Sequence, residues 1–307
     1  MQAAGLCYFC LLPVACNLMP FAEGFIVKIV LFDIDGTLIK AGGAGARALN
    51  KAIFELTGAK DVCAKFSLQG ATDKSNFETA CKAGLGRKPT AVQAREIEAL
   101  YLKILPAEVA ASVKGKKYSK VKGVENLLKN LAKNKKILIG LGTGNLKRGA
   151  CLKLAPSGLA KYFSFGGYGC DSRQRSAVLR KAVERAEKTA RIKIKPNAVF
   201  VIGDTHMDVL AAKEAGYHPG AILDGFGDWR EIRKSGPEML AKDFTDLKPW
   251  LIWLGIRRDP KGVRRGTYIR PDSPIEHAHY GRTGTDLKDV EDGVMRLRSL
   301  KRKIVKS

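Results

Sequence analysis

Two aspartates, Asp33 and Asp35, stand directly behind a strand-forming run in the stretch FIVKIVLFDIDGT. The residues from Phe25 to Phe32 are apolar, apart from Lys28. A continuous aliphatic run with a turn signal behind it is typical of a buried strand in a parallel sheet. Carboxylates at its end repel each other and resist burial unless a cation lies between them. The stretch therefore indicates either a strand that ends in an ordinary Asp-Gly turn or a metal and phosphate site at the carboxyl end of a strand.

The rest of the chain shows a helical block followed by alternating strands and helices. The helix signals of the block lie at 47–57, 73–81 and 91–105. Strand signals follow at 136–141, 162–165, 198–202 and 219–223, and helix signals at 145–155, 173–190, 205–216, 228–234 and 245–254. Alternation of this kind predicts βαβ units around a parallel sheet. The predicted fold class is α/β, a Rossmann-like parallel sheet with an inserted set of helices.

Changes in composition divide the chain into segments. An apolar extension covers 1–24, and a basic extension rich in Arg and Gly covers 255–307. Between them we expect an α/β core domain built from 25–40 and 116–254, with an α-helical domain inserted at 41–115. The first extension has no Lys or Arg before its hydrophobic run and is too short to span a bilayer, so a signal peptide is an unfavoured but open alternative. No membrane span is expected elsewhere.

Composition limits the classes of function. The 307 residues are 45% hydrophobic and 27% charged, as in globular proteins, but the net charge of +24 is unusual. Such a charge suits nucleic acid or anionic substrates as partners. The basic residues are spread along the chain with few aromatic residues among them, so we expect a solvated basic surface and not nucleic-acid binding. Seven cysteines, an odd number, indicate free thiols in a reducing compartment, and we expect a cytoplasmic protein.

Three further polar stretches follow predicted strands, at 142–145, 171–175 and 203–208. Right-handed βαβ crossovers bring the carboxyl ends of parallel strands to one edge of a sheet. We therefore expect Asp33 and Asp35 to meet a threonine with free backbone amides, an arginine and a second pair of aspartates in one crevice.

These motifs resemble those of haloacid-dehalogenase-superfamily hydrolases, in the phosphoglycolate-phosphatase-like branch with a helical cap inserted after the first motif. The matching stretches are DIDGT at 33–37, GTGN at 142–145, Arg175 in DSRQR, and GDTHMD at 203–208. LQGATD at 68–73 is similar to the cap segment of that branch. The similarity covers the chain from the first strand signal to the last helix signal, and it implies that the inserted helices form a cap domain.

The resemblance implies a role for each aspartate. Asp33 is the expected nucleophile, which forms an aspartyl phosphate. Asp35 is the expected general acid for the leaving oxygen and then the base for water. Mg²⁺ prefers oxygen ligands in an octahedral arrangement. Its expected ligands are Asp33, Asp35 through the backbone carbonyl, Asp204 and Asp208, the last as a ligand or as support for one.

The phosphoryl group needs donors and a cation. The residues expected to bind it are Thr143, Gly144, Asn145 and Arg175. Lys181 and Lys195 compete with Arg175 for the role of the cation, but Lys195 precedes a strand and should lie at the amino end of the sheet. Lys181 lies roughly 9 Å further along the same helix, at 1.5 Å per residue. Arg175 is nearest to the crevice, and its planar fork can bind two oxygens at once.

Asp35 also decides the expected reaction. By resemblance, dehalogenases of the superfamily lack a carboxylate at this position and its ion-pumping ATPases carry a threonine, so Asp35 indicates a phosphatase or a phosphomutase. We expect a Mg²⁺-dependent phosphohydrolase of a small phosphorylated metabolite, with phosphoglycolate suggested by the resemblance alone. A phosphomutase similar to β-phosphoglucomutase and a nucleic-acid-associated protein that uses the basic tail are the alternatives.

Overall fold

The computed structural model describes residues 27–258 and 268–269. Its strands are β1 (Lys28–Phe32), β2 (Ile39–Lys40), β3 (Ser119–Lys120), β4 (Ile137–Gly142), β5 (Phe165–Gly167), β6 (Val199–Gly203), β7 (His218–Ile222), β8 (Met239–Ala241) and β9 (Tyr268–Ile269). Its α-helices are α1 (Ala44–Thr57), α2 (Asp73–Leu85), α3 (Ala91–Lys114), α4 (Val124–Ala132), α5 (Lys147–Leu154), α6 (Arg175–Ala190), α7 (His206–Ala215), α8 (Trp229–Ser235) and α9 (Leu247–Trp253).

The central sheet contains seven parallel strands in the order β5-β4-β1-β6-β7-β8-β9. β1 lies between β4 and β6, so that Ile29 pairs with Leu138 on one side and with Val199 on the other. The predicted Rossmann-like α/β sheet is confirmed. Because the strands are parallel, the carboxyl ends of β1, β4, β5 and β6 meet at one edge, as the sequence predicts.

β1 is covered on both faces. Val30 and Phe32 belong to a large hydrophobic cluster that continues into α1, α3 and α4. Ile29 and Leu31 belong to a second cluster, on the opposite face, together with α6 and α7. Successive side chains of a strand point to opposite faces, so a strand at the centre of a sheet needs apolar residues throughout. The position of β1 therefore fixes where the chain leaves the sheet and where Asp33 and Asp35 begin.

The inserted helices α1, α2 and α3 stand between β2 and β3. These two short strands pair in antiparallel fashion, which joins the two ends of the insertion. Thr72 caps α2 by accepting a hydrogen bond from the Ser75 amide, and Thr90 caps α3 in a capping box with Gln93. α1 is tied to α3 by Arg47, whose Nε lies 2.7 Å from a carboxylate oxygen of Glu108. The helices thus occupy the predicted insertion at 41–115, while a capping role stays a prediction.

The prediction of a strand at 162–165 is wrong in its position. Leu159–Tyr162 forms a 3₁₀ helix, and β5 comprises Phe165–Gly167. The glycines in β5 allow close packing, because a Cβ atom on Gly167 would collide with the carbonyl oxygen of Val178 in α6. Glycine has a low strand propensity, which conceals the strand in the sequence.

The structure also contains elements that the sequence patterns did not reveal. In α4, Val124, Leu127, Leu128 and Leu131 are buried at helical spacing, but lysines around them conceal the pattern. β2, β3 and β8 are two or three residues long, too short for a periodic signal. β9 is a short strand within the basic extension at 255–307.

Within the described residues no helix is both long enough and apolar enough to cross a membrane. Cys63, Cys81 and Cys170 are free thiols there. The apolar extension at 1–24 and most of the basic extension at 255–307 lie outside the described residues.

Gly123 lies where the chain enters α4 after the inserted helices, and a substitution there tests its close contact with the core. It precedes α4 with a φ of 76°, and an added Cβ would collide with the backbone of Phe244. Gly123→Ala should lower the free energy of unfolding by about 2–4 kcal/mol, because the left-handed backbone conformation and the collision both cost energy. Denaturant unfolding of the purified variant measures this.

Gly58→Ala is the matched control. Gly58 has a similar φ of 73°, but an added Cβ would meet nothing within 4 Å. This variant should lose only the conformational part, about 1 kcal/mol. Equal losses in the two variants would contradict the close contact with Phe244.

Candidate active site

Asp33 and Asp35 lie where the chain leaves β1. The Asp33 amide donates to the carbonyl of Ile202, 3.0 Å away, which extends the pairing with β6 by one residue and fixes the direction of the carboxylate. The chain then turns at Gly36, which has a φ of 85°. A Cβ atom there would collide with the carboxylate of Asp204. Glycine at this position therefore lets Asp204 approach the first motif.

Asp33, Asp204 and Asp208 form a cluster of buried carboxylates. One oxygen of each lies within 4.8 Å of the others. The Thr37 hydroxyl donates to one oxygen of Asp204 at 3.0 Å, and the Phe226 amide donates to the other at 2.7 Å. Asp208 accepts hydrogen bonds from the amide and hydroxyl of Thr205 on one oxygen, which starts α7 with a capping box. The carboxylates of Asp204 and Asp208 are thus held in fixed orientations.

The electrostatics of this cluster favour a bound cation. Burial raises the pKa of Asp33 to about 6, against the opposing effect of Arg175, and Asp208 and Asp35 raise it further. Burial also raises the pKa of Asp204 well above its usual range, and the charges of Asp208 and Asp33 add to this effect. Buried carboxylates that repel one another ionise readily only beside additional positive charge. Their oxygens are the ligands that Mg²⁺ prefers, so the residues present fit this ion.

Arg175 is the first residue of α6 and is buried beside these carboxylates. Its Nη2 atom lies 2.8 Å from Asp33 and 2.5 Å from Asp208 as an ion pair. Burial disfavours the charged form of Arg175, but Asp208 and Asp33 raise its pKa above the usual range, so the guanidinium is held charged at the site. A buried, charged guanidinium suits an anionic oxygen such as those of a phosphoryl group.

The other two candidate cations lie elsewhere. Lys181 is exposed and pairs with Glu184 on the same helix. Lys195 precedes β6, at the amino end of the sheet. Of the three cations, the structure brings Arg175 to Asp33, where the sequence predicts it.

The second motif follows β4 and contacts the inserted helices. The Thr143 amide donates to the Gly167 carbonyl, and its side-chain oxygen accepts from the Asn145 side chain at 2.8 Å. The Gly144 carbonyl accepts from the Asp73 amide at 2.7 Å. In return, the Asp73 carboxylate accepts from the Leu146 amide at 2.8 Å. The segment LQGATD at 68–73 therefore lies directly on the loop that we expect to bind phosphate.

Lys153 belongs to the site and was missing from the sequence prediction. It lies on α5, is 5% exposed, and its Nζ is 2.7 Å from Asp35 and 2.6 Å from the side-chain oxygen of Asn145. Burial disfavours its charged form, but Asp35, Tyr101 and Asp73 raise the pKa of Lys153 above its usual range. The sequence offered one sign of this position: the helical spacing of α5 places Lys153 on the buried side of the helix, together with Ala150 and Leu154.

The site opens into a cavity of about 310 Å³. The core lines it with Asp33, Asp35, Lys153 and Arg175, and the inserted segment lines it with Leu49, Leu68, Asp73, Phe77 and Tyr101. This volume lies at the lower end of the range for ligand pockets. Of the predicted site residues, those that line the cavity are Asp33, Asp35, Gly144, Asn145, Arg175 and Asp204. Thr143 and Asp208 contact Asn145 and Arg175 without lining the cavity, and the roles of all eight residues stay predictions.

Comparison with known proteins gives a family and a fold. A family model for haloacid dehalogenase-like hydrolases matches residues 27–216, more than half of the chain. A search of curated proteins finds no match.

Solved structures share the fold at low sequence identity. A predicted phosphatase from Clostridium acetobutylicum has a TM-score of 0.58 and 20% identity, covering 74% of this chain and 99% of that one. A predicted phosphoglycolate phosphatase from Haemophilus somnus has a TM-score of 0.55 and 17% identity, over 72% and 96% of the two chains. CbbY from Rhodobacter sphaeroides, solved with phosphate, has a TM-score of 0.55 and 18% identity, over 73% and 97%. At these identities the likeness extends to the fold alone.

The carboxylate cluster predicts a pH-dependent response to Mg²⁺. Mg²⁺ at saturating concentration should raise the melting temperature at about pH 8, because it binds the folded state and offsets the repulsion between Asp33 and Asp204. At about pH 5 the rise should be smaller, because protons occupy carboxylates whose pKa is raised and compete with the metal. Thermal melts with and without Mg²⁺ measure both values.

Asp204→Asn should lose most of the Mg²⁺-dependent rise. Asp228→Asn serves as the control, because Asp228 caps α8 through backbone amides and lies outside the cluster. A full rise in the Asp204 variant would place the metal elsewhere.

Proposed function

Because the chain belongs to the haloacid dehalogenase-like hydrolase family, we propose that it is a Mg²⁺-dependent phosphohydrolase of small phosphorylated metabolites. One observation carries this proposal. Asp33 lies at the end of the central strand, 2.8 Å from a buried arginine, and both line one cavity. A nucleophile next to a fixed cation can attack a group that is itself negatively charged, such as a phosphoryl group, because the cation offsets the repulsion.

Asp33 is the proposed nucleophile. One of its oxygens would attack phosphorus, and the bond from phosphorus to the ester oxygen would break as the aspartyl phosphate forms. Asp35 would give a proton to the departing oxygen and then take one from the water that hydrolyses the intermediate. This division suits the two environments, since Asp33 is buried and the side chain of Asp35 is 30% exposed toward the cavity.

The transferring group would be held by donors that are already in place. Arg175 would turn N–H groups to the phosphoryl oxygens, with Thr143, Gly144 and Asn145 on the other side. Mg²⁺, held by Asp33, Asp204 and the backbone carbonyl of Asp35, would offset negative charge on those oxygens. Asp208 has partners on both oxygens, and we propose that it orients Arg175 and supports the metal ligands.

Hydrolysis is favoured over a phosphomutase reaction. A mutase must hold a substrate with two phosphate groups, and the second group needs its own cation. Among the described residues that line the cavity, the cations are Lys153 and Arg175, and both come from the core and already pair with Asp35 and Asp33. The wall formed by the inserted helices contributes Leu49, Phe77 and other uncharged or acidic groups.

A panel of phosphate esters tests the function. We expect Mg²⁺-dependent release of inorganic phosphate, with glycerol 1-phosphate preferred over phosphoglycolate. The reason is that the carboxylate of phosphoglycolate would meet Asp73 and find no unpaired cation among the described lining residues. Release from none of the esters would contradict the proposed function. A preference for phosphoglycolate would contradict only this view of the cavity wall.

Asp33→Asn should abolish turnover and leave the melting temperature within a few degrees of the wild-type value. The amide is nearly isosteric but cannot attack phosphorus, so we expect a loss of at least about a thousandfold in kcat. Steady-state phosphate release measures it. Substantial residual turnover would remove the covalent mechanism.

Arg175→Ala should lower kcat at least about a hundredfold, since the variant loses the cation beside the transferring group. Lys181→Ala is the matched control on the same helix, and it should cost less than about fivefold because Lys181 pairs with Glu184 at the surface. The opposite order of losses would mean that the phosphoryl group lies away from Arg175.

A further inference from the structure

Lys153 is a buried lysine whose hydrogen-bonding partners belong to the active site. It lies near the end of α5, beside Ala150 and Leu154, which are buried in the hydrophobic core. Burying an ammonium group costs free energy unless it is paired and hydrogen-bonded. An apolar side chain at this position would serve the packing of α5 equally well. The reason for a lysine therefore lies in the contacts that its Nζ makes.

These contacts converge on one oxygen of Asp35. Lys153 Nζ donates to Asp35 Oδ2 at 2.7 Å, and Asn145 Nδ2 donates to the same oxygen at 2.9 Å. Lys153 also donates to Asn145 Oδ1 at 2.6 Å, so Lys153, Asn145 and Asp35 are all hydrogen-bonded to one another. Asn145 is fixed in turn by Thr143, whose hydroxyl oxygen accepts at 2.8 Å. The carboxylate of Asp35 is thus held by Oδ2 alone among the contacts described, and Oδ1 is left for the cavity.

The inserted helices enclose the lysine. A Cβ atom added to Gly45 in α1 would lie 3.2 Å from Lys153 Nζ and 3.6 Å from the hydroxyl of Tyr101 in α3. Gly45 therefore leaves room for the ammonium group, and Tyr101 covers it from the next helix. With little water around it, the ion pair with Asp35 is stronger than a pair at the surface.

We propose that Lys153 is a positioning residue for Asp35. It holds Asp35 by Oδ2 so that Oδ1 faces the leaving oxygen of the ester. The step that depends on it is the departure of the alcohol. The bond from phosphorus to oxygen breaks, its electron pair passes to the oxygen, and that oxygen takes the proton from Asp35. Lys153 itself does not touch the substrate, and this role rests on the proposed phosphohydrolase function.

The leaving group separates this role from others. p-Nitrophenol departs readily without a proton, while an alcohol such as glycerol needs one. Lys153→Met replaces the lysine with an uncharged chain of similar length. It should lower kcat for glycerol 1-phosphate at least about thirtyfold and kcat for p-nitrophenyl phosphate by less than about threefold, with KM for both nearly unchanged.

Matched variants make the test decisive. Lys147→Met, an exposed lysine on the same helix, should leave both rates unchanged. In an Asp35→Asn background, Lys153→Met should cause little further loss, because a residue that acts through Asp35 cannot act without it. A melting curve for each variant shows that it is folded.

Three results would overturn the proposal. Equal losses on the two esters would mean that Lys153 supports the fold or the phosphoryl site. A higher KM with unchanged kcat would mean that it binds substrate. If the losses in kcat caused by Lys153→Met and by Asp35→Asn were fully additive, Lys153 would act independently of Asp35. If the wild-type protein hydrolyses neither ester, the proposed function fails instead.

Discussion

Buried charge is the constraint on which this structure depends. Asp33, Asp204 and Asp208 lie within a few ångströms of one another away from water, and burial together with the neighbouring carboxylates raises the pKa of Asp33 and Asp204. Arg175 supplies positive charge, yet the raised pKa of Asp33 and Asp204 indicates that one guanidinium does not balance the cluster. Such an arrangement suits a further bound cation. The surrounding structure holds the carboxylates in place against their mutual repulsion.

The sheet makes this arrangement possible. β1 is covered on both faces and paired on both edges, so the position at which it ends has little freedom. β4 and β6 run beside it in the same direction, and their loops reach the same edge. Backbone hydrogen bonds, such as the one from the Asp33 amide to the Ile202 carbonyl, continue the pairing into the site. The acidic side chains thus start from rigid elements and reach each other without long, mobile loops.

The sequence allowed the sheet and most of the site to be predicted, for reasons that particular residues illustrate. Asp33 and Arg175 were found because each lies next to an element with a clear periodic signal. β5 was misplaced because glycines that permit close helix packing carry no strand propensity. Lys153 was missed because its role depends on an ion pair with Asp35, which is 118 positions away. Local pattern shows that a lysine lies among buried neighbours, but only tertiary packing shows which carboxylate it meets.

The two aspartates of the first motif have different partners, and this explains why both are present. They are two residues apart, so they leave the strand in related directions and could have shared one cation. Instead Asp33 pairs with Arg175 from α6, and Asp35 pairs with Lys153 from α5. Separate cations on separate helices let each carboxylate be held in its own orientation. Asp33 faces the arginine and the carboxylates of Asp204 and Asp208, while Asp35 lines the cavity. A strand that ended in an ordinary polar turn would need neither cation, and the cost of burying both suits the proposed action of the two carboxylates on one bound group from different sides.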